Sequence, residues 1–94
     1  MAIQIKTLDQ LKTMRRAGLL VGHTLELLRQ SIKVGMRTDA LDAIAAANIK
    51  RGGGTSNFLG YHGYPATICI SINDEIVHGI PGDRIIEDGD IVSI

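Results

Sequence analysis

Two histidines flanked by glycine are the residues of this chain best suited to chemistry. His62 lies in GYHGYP and His78 in VHGIP, in irregular segments of the kind where functional side chains concentrate. An imidazole can donate, accept or shuttle a proton near neutral pH, and a neighbouring glycine lets a substrate backbone approach closely. An isolated loop histidine is more often a surface or turn residue, so the pattern makes both of them candidates only. His23 falls opposite the apolar stripe of its helix, and we expect it to be solvated.

Aromatic side chains surround the first of these histidines. Tyr61 and Tyr64, the only tyrosines of the chain, bracket His62, and Phe58, the only phenylalanine, precedes them. Rings on a rigid Gly/Pro loop could form the wall of a pocket for a small apolar group. The same loop could instead pack its tyrosines on a sheet, and the residue types do not decide between these two interpretations.

The sequence offers little for metal or nucleotide chemistry. A dinuclear hydrolytic site needs several carboxylates and histidines around two ions roughly 3.5–4 Å apart. The 10 acidic residues instead fall mostly at predicted helix ends and turns. No HExxH, CxxC, P-loop, GxGxxG or GxSxG motif occurs. We therefore expect these residues to hold no divalent metal.

Composition indicates one small globular unit. The chain has 94 residues, of which 45% are hydrophobic and 21% charged, and its formal net charge is zero. This balance leaves no basic stripe for nucleic acid. The lone Cys69 forms no internal disulfide, and no apolar segment approaches the length of a signal peptide or a membrane span. We expect a cytoplasmic location without membrane or nucleic-acid binding.

The first third of the chain predicts one long helix. Thr7 and Gln10 form a capping-box pattern, and the helix is expected to end near Lys33, before Gly35. Apolar or small residues follow at spacings of three and four, which predicts a single inward face. These residues are Leu11, Met14, Gly18, Val21, Leu25, Leu28 and Ile32.

A second helix and a sheet are predicted after it. Thr38 is expected to cap a helix that Gly52 ends, with an inward face of small and branched residues. Those residues are Leu41, Ile44, Ala45 and Ile49. Alternation over residues 67–72 predicts a half-buried strand, and the polar break after it predicts a hairpin whose strand returns over residues 76–78. The strand that begins at residue 90 is expected to continue beyond Ile94.

Three segments in order, GYHGYP, CISINDEIVHGIP and DGDIVSI, resemble successive blocks of type I methionine aminopeptidases at the spacing of that family. The resemblance covers essentially the whole chain, including IKT, MRRAG and KVGMRTDALD. It implies an α/β (α+β) fold, half of a pita-bread aminopeptidase fold with two N-terminal helices packed on an antiparallel sheet. Residues 1–94 would be the N-terminal half of the catalytic domain, apparently truncated just before the first metal ligand.

The resemblance also implies roles for individual residues. His78 is similar to the family histidine that hydrogen-bonds the scissile amide, which would make it catalytic. His62 resembles the histidine at the mouth of the pocket, where it positions substrate. Tyr61, Tyr64 and Cys69 resemble the wall of the methionine side-chain pocket, and contact between sulfur and aromatic rings suits a thioether.

Two further positions complete the implied substrate and ion sites. Phe58 would also contact substrate, but many bacterial members have a smaller residue there, often cysteine, so the pocket size departs from the family pattern. Asn73, with the backbone of Glu75, resembles part of a monovalent cation site.

The implied activity is removal of the N-terminal methionine from nascent polypeptides by two-metal hydrolysis. Two divalent ions, Co, Mn, Fe or Zn, would act in the full-length parent, and this chain alone would hold none and be inactive. Nascent N-termini, including those at the ribosome, would be its partners, and the isolated fragment would self-associate through its uncovered face. The alternative is a non-catalytic pita-bread homologue that acts as a peptide-binding or interaction module. His62 and His78, which a pure scaffold does not need, favour the peptidase.

Overall fold

A computed structural model describes residues 2–94, which form two helices and a short antiparallel pair of strands. The first helix, α1, is Leu8–Ser31 and the second, α2, is Thr38–Arg51. A single 3-10 turn follows at Tyr61–Gly63. The strands are β1, Ser71–Ile72, and β2, Val92–Ser93. The predicted α/β arrangement, two helices followed by a small antiparallel sheet, is confirmed.

Local side-chain chemistry starts α1 at the predicted place. The Thr7 amide donates to Gln10 Oε1 at 2.8 Å, and the Gln10 amide donates to Thr7 Oγ1 at 3.2 Å, so both halves of the capping box are present. The helix ends at Ser31, two residues before the predicted end, because Ile32 adopts an extended backbone. The start of α1 depends on side chains within four residues of each other. Its end depends also on the contacts of the residues that follow it.

The predicted inward face of α1 is only partly covered. Leu28 is buried, and Ile32 packs against the core from a half-buried position. The other large apolar residues of the stripe remain 44–56% exposed. They are Leu11, Met14, Val21 and Leu25. The periodicity therefore identified the apolar face correctly, but residues 2–94 cover only its C-terminal end.

Tertiary hydrogen bonds change the start of α2. Arg37, and not Thr38, occupies the position before the helix, and it makes no side-chain cap. Thr38 is buried within the first turn, where its hydroxyl donates to the Gly82 carbonyl at 3.2 Å and accepts from the Gly82 amide at 2.8 Å. The capping prediction for Thr38 is therefore wrong, because a loop 44 residues away uses the hydroxyl. The helix ends before Gly52, as predicted.

The inward face of α2 matches the prediction and includes one polar residue that was not predicted. Leu41 and Ala45 are fully buried, and Ile44 packs against the core from a half-buried position. Asn48 is also buried, and its amide donates to Thr24 Oγ1 of α1 at 2.8 Å. A satisfied polar contact therefore fixes the two helices against each other beside their apolar contact.

The sheet is shorter than predicted, and its pairing differs. β1 pairs antiparallel with β2, with Ser71 opposite Ser93 and Ile72 opposite Val92. The predicted turn exists, since the Glu75 amide donates to the Ile72 carbonyl at 3.1 Å. Residues 76–78 do not form the predicted returning strand, because the left-handed φ of 59° at residue 78 breaks the extended run.

The core lies between α2, the C-terminal end of α1 and the residues around β1. Its buried members are Leu28, Leu41, Ala45, Ile70, Ile72 and Ile86. Within residues 2–94 no helix has the length and apolar composition needed to cross a membrane. The loop between α2 and β1 and the loop after β1 both emerge above this core, and they carry the candidate functional residues.

Candidate active site

His78 lies in the loop that returns from β1 and is presented from a constrained backbone. The residue is exposed, and its φ of 59° is unusual for a residue with a Cβ. The following residue, Gly79, is buried, and its carbonyl accepts from the Ile70 amide at 2.8 Å. Its amide donates to Ser71 Oγ at 3.0 Å. The imidazole is therefore exposed at the surface while the residue after it is held by hydrogen bonds.

Phe58 connects the aromatic loop to this histidine. Its ring centroid lies 5.8 Å from that of Tyr64 and 6.4 Å from that of His78, the latter in an edge-on arrangement. Ser56 orders the segment, because its Oγ accepts from the Phe58 amide at 3.2 Å and donates to the Thr67 carbonyl at 2.6 Å. A phenylalanine ring is thus held against the candidate catalytic side chain.

Tyr64 lies beneath Phe58, and its hydroxyl points into the protein. The hydroxyl lies 3.0 Å from the Ile68 carbonyl and 3.2 Å from the Gly79 carbonyl. Burial, followed by the neighbouring Cys69 thiol, raises the pKa of this phenol well above its ordinary value of 10.0. Tyr64 therefore remains a hydrogen-bond donor throughout the physiological pH range.

A predominantly apolar groove of about 940 Å³ opens beside these residues. One wall is a face of α1, and the other includes Phe58, Cys69 and His78. Ile68 also lines the groove beside Cys69, so the segment before β1 does not present only its alternate residues to it. The remaining lining comes from Ile49 of α2, from both strands and from neighbouring loops. The single cavity expected from the sequence is present in part, because neither tyrosine is among the residues of 2–94 that line this groove.

The 3-10 turn separates two predicted site residues from the others. Tyr61 and His62 contact each other edge-on, with ring centroids 4.2 Å apart, and both are exposed. The turn closes on itself, since the Gly60 amide donates to the Tyr64 carbonyl at 2.9 Å, and His62 has a left-handed φ of 48°. The structure therefore groups Phe58, Tyr64, Cys69 and His78 and sets Tyr61 and His62 apart from them.

Asn73 is part of a structural clasp at the predicted cation position. Its amide nitrogen donates to Asp90 Oδ1 and its amide oxygen accepts from the Ile91 amide, both at 2.9 Å. Glu75 Oε1 accepts from the Ile72 amide and from Arg84, both at 3.1 Å. The Asn73 side chain therefore joins the turn after β1 to the segment before β2, and Glu75 joins the same turn to Arg84.

The side chains that could bind a divalent metal are scattered over the described part of the chain. Within residues 2–94 no group of three or more His, Cys, Asp or Glu side chains is arranged to hold a metal ion. The residues around the groove contribute one imidazole and one thiol, which do not form a binding set for a divalent ion in hydrolysis.

Three residues that support the site were not predicted from the sequence. Asp42 of α2 accepts the Thr67 and Ile68 amides at one carboxylate oxygen, each at 2.9 Å. Ser71 and Gly79 hold each other beside His78. No local spacing marks Asp42, which lies 25 residues before its partner. The glycine after a loop histidine was visible in VHGIP, but only the fold shows how closely it approaches β1.

Comparison with known proteins identifies the class. The profile of metallopeptidase family M24 matches residues 12–94. The chain is 49% identical over 89 residues to methionine aminopeptidase 1 of Bacillus subtilis (strain 168), covering 95% of this chain and 36% of that protein. It is 46% identical over 96 residues to methionine aminopeptidase of Escherichia coli (strain K12), covering 100% of this chain and 36% of that protein.

Solved structures give the same result for the fold. Methionine aminopeptidase from Rickettsia prowazekii superposes with a TM-score of 0.92 at 35% identity, over 97% of this chain and 37% of that one. Methionine aminopeptidase from Thermotoga maritima superposes with a TM-score of 0.93 at 33% identity, over 97% of this chain and 37% of that one. The chain belongs to metallopeptidase family M24 and has the fold of part of a pita-bread peptidase. It spans little more than a third of the length of these relatives.

Proposed function

We propose that this chain is the N-terminal half of the catalytic domain of a methionine aminopeptidase, which removes the first methionine from nascent polypeptides. The observation that carries the proposal is the convergence of Phe58, Cys69 and His78 on one apolar groove in a member of family M24. An unbranched thioether suits such a groove, because sulfur and aromatic edges attract each other and the walls exclude water.

The proposed role of His78 is to donate a hydrogen bond to the substrate amide. The exposed imidazole lies at the groove, and its edge-on contact with Phe58 and its constrained backbone limit the positions that the donor can take. A preorganised donor favours charge that develops in the transition state over the ground state. His62 and Tyr61, on the separate turn, are proposed to contact the residue that follows methionine.

Divalent metals belong to the chemistry of this family, and residues 2–94 do not supply a site for them. We propose that the whole protein uses two such ions, Co, Mn, Fe or Zn, whose ligand types suit mixed carboxylate and imidazole sites. We expect the 94-residue chain alone to release no methionine from a Met-Gly peptide with any of these metals. Turnover clearly above a metal-only blank would contradict this.

The proposed setting is the cytoplasm, where nascent N-termini emerge at the ribosome. Self-association of the isolated chain is also proposed, supported by the exposed apolar stripe of α1. Sedimentation of the 94-residue chain across a concentration series measures this directly, and a strictly monomeric species would contradict it.

The decisive experiment uses a protein that carries this segment together with the remaining length of its relatives. We expect His78→Ala to lower kcat for a Met-Gly peptide by about 10²–10³, the usual effect of removing one transition-state donor, with bound metal unchanged. His23 lies outside the groove, although its ring contacts the Asn48 side chain of α2 at 3.3 Å, contrary to the solvated position expected from the sequence. His23→Ala is therefore the control for loss of an imidazole away from the site, and it should leave the kcat of the folded protein unchanged. Loss of metal together with activity would refute the assigned role, and peptide binding without any turnover in the unaltered protein would favour the non-catalytic alternative.

A further inference from the structure

Gly79, the residue that follows His78, is held by three hydrogen-bonding contacts to its backbone. The Gly79 carbonyl accepts from the Ile70 amide at 2.8 Å and lies 3.2 Å from the Tyr64 hydroxyl. The Gly79 amide donates to Ser71 Oγ at 3.0 Å. Because His78 has the φ of a left-handed residue, which is costly with a Cβ present, these contacts must maintain its conformation. The position of the imidazole therefore depends on how firmly the next peptide is held.

The Tyr64 hydroxyl joins this peptide to the helical layer. It places one O–H hydrogen between two carbonyl acceptors, Ile68 at 3.0 Å and Gly79 at 3.2 Å. The Ile68 end is itself fixed, since the Ile68 and Thr67 amides both donate to Asp42 of α2 at 2.9 Å. A continuous series of hydrogen bonds thus runs from α2 to the peptide beside the candidate catalytic residue.

The ring of Tyr64 also contacts His78 indirectly, through the ring of Phe58. It packs against Phe58 at 5.8 Å, and Phe58 packs against His78 at 6.4 Å. Tyr61, the other tyrosine, has neither connection. It is 66% exposed and contacts the ring of His62, and its hydroxyl has no hydrogen-bond partner within residues 2–94.

We infer that Tyr64 is a positioning residue that fixes the direction of His78 through its hydroxyl, rather than a group that only lines a methionine pocket. Its value for catalysis rests on the proposed function. The positioning itself follows from contacts within this chain and can be tested without any activity.

The first test uses nuclear magnetic resonance on the 94-residue chain. Tyr64→Phe removes only the hydroxyl, so we expect amide hydrogen exchange at Ile70 and Gly79 to accelerate about five- to tenfold relative to the core amide of Leu41. The nuclear Overhauser contacts between His78 and Phe58 should weaken at the same time. Tyr61→Phe is the matched control for loss of a tyrosine hydroxyl and should change neither signal. Unchanged exchange in Tyr64→Phe, or equal changes in both variants, would overturn the inference.

The second test measures kinetics in a protein that carries this segment with the remaining length of its relatives. If Tyr64 positions His78, Tyr64→Phe lowers kcat about five- to tenfold and leaves KM within about twofold. If its hydroxyl only lines the pocket, KM rises while kcat is kept, and the inference is wrong. Should the unaltered protein release no methionine at all, the proposed function fails, and the exchange measurements still decide whether Tyr64 positions His78.

Discussion

Gly79→Ala should be the most destabilising glycine-to-alanine change in this chain. A Cβ built on Gly79 would lie 2.1 Å from the Ile70 carbonyl oxygen, 2.8 Å from its carbonyl carbon and 2.9 Å from Ser71 Cα. All three atoms are backbone, so no side chain can rotate away to make room. Either the returning loop must move off the segment before β1, or that segment must move away from the core.

The cost follows from the contacts that this movement breaks. Overpacking of a dense region costs about 1–3 kcal/mol. Separating the two segments also strains or breaks the bonds from the Ile70 amide and to Ser71 Oγ, each worth about 0.5–1.5 kcal/mol net. We therefore expect the free energy of unfolding to fall by about 2–6 kcal/mol. For a chain of this size even the lower value corresponds to a decrease of at least about 8 °C in Tm.

Two other glycines provide matched controls. A Cβ on Gly82, three residues further along the same loop, would meet only the Ile80 carbonyl oxygen at 3.9 Å, an ordinary contact. A Cβ on Gly18 in α1 would meet nothing within 4 Å. Gly82→Ala should change the free energy of unfolding by less than about 0.5 kcal/mol. Gly18→Ala should raise it by about 0.5–1 kcal/mol, because alanine favours the helix.

The assay is urea unfolding of the 94-residue chain, followed by the helix signal in far-ultraviolet circular dichroism. The dependence of the unfolding free energy on urea concentration, the m-value, is compared between variants to check that the unfolding transition itself is unchanged. Reduced stability of Gly79→Ala alone, beside folded controls, is the expected pattern. A Gly79→Ala midpoint equal to that of Gly82→Ala would refute the close approach of the returning loop to the segment before β1.

Two further predictions concern carboxylates. Asp42→Ala should lower the free energy of unfolding by about 1.5–3 kcal/mol, the range for hydrogen bonds to a charged group. Asp39→Ala, at the same end of α2, removes only the exposed ion pair with Arg37 and should lower it by less than about 1 kcal/mol. Equal losses of stability in urea unfolding would contradict this. For Asp90, the Glu87 amide and then the Asn73 side chain lower the carboxyl pKa from its ordinary value of 3.8, so its contribution is present above that pH and is lost as the pH falls through the lower folded-state pKa. The urea midpoint should therefore decrease less steeply from pH 5 to pH 2.5 in Asp90→Asn than in the unaltered chain, and parallel curves would rule out this linkage.

Features encoded within a few residues were predictable from the sequence. The capping box at Thr7 and the stop at Gly52 depend on neighbours in the chain, and both occur where the pattern placed them. The inward residues Leu41 and Ala45 follow from the helical period. Thr38 shows the limit of local reasoning, because its hydroxyl has two possible partners and the distant Gly82 loop is the one that contacts it.

The same limit applies to burial on α1. A stripe such as that of Leu11 and Val21 predicts an apolar face, but whether another element covers the face depends on the rest of the fold. The returning strand was mispredicted for a related reason. Val77 and Ile76 have strong strand propensity, yet the left-handed backbone of His78 ends any extended run, and no residue type before Gly79 signals that conformation.

The candidate site was predictable as a set of residue types and not as an arrangement. GYHGYP suggested one aromatic cluster, but the loop closes through the Gly60 amide and the Tyr64 carbonyl, so the residues between them lie outside it. Phe58 and His78, 20 positions apart in the numbering, are brought into contact by the fold. Asp42 gave no signal of this role, because an acidic residue near the start of a helix is ordinarily explained by the helix dipole.

The contacts that orient His78 all lie within residues 42–79, which bears on how the wider site is built. The series runs from Asp42 through the backbone of Ile68 and the Tyr64 side chain to Gly79, and the contacts between these residues are hydrogen bonds inside this chain. The backbone of the chain also superposes on solved methionine aminopeptidases over 97% of its length. A catalytic group that must be held within a fraction of an ångström needs such support from rigid elements. This segment therefore sets the direction of its histidine through its own contacts, and the metal chemistry of the family is a separate requirement that these residues do not supply.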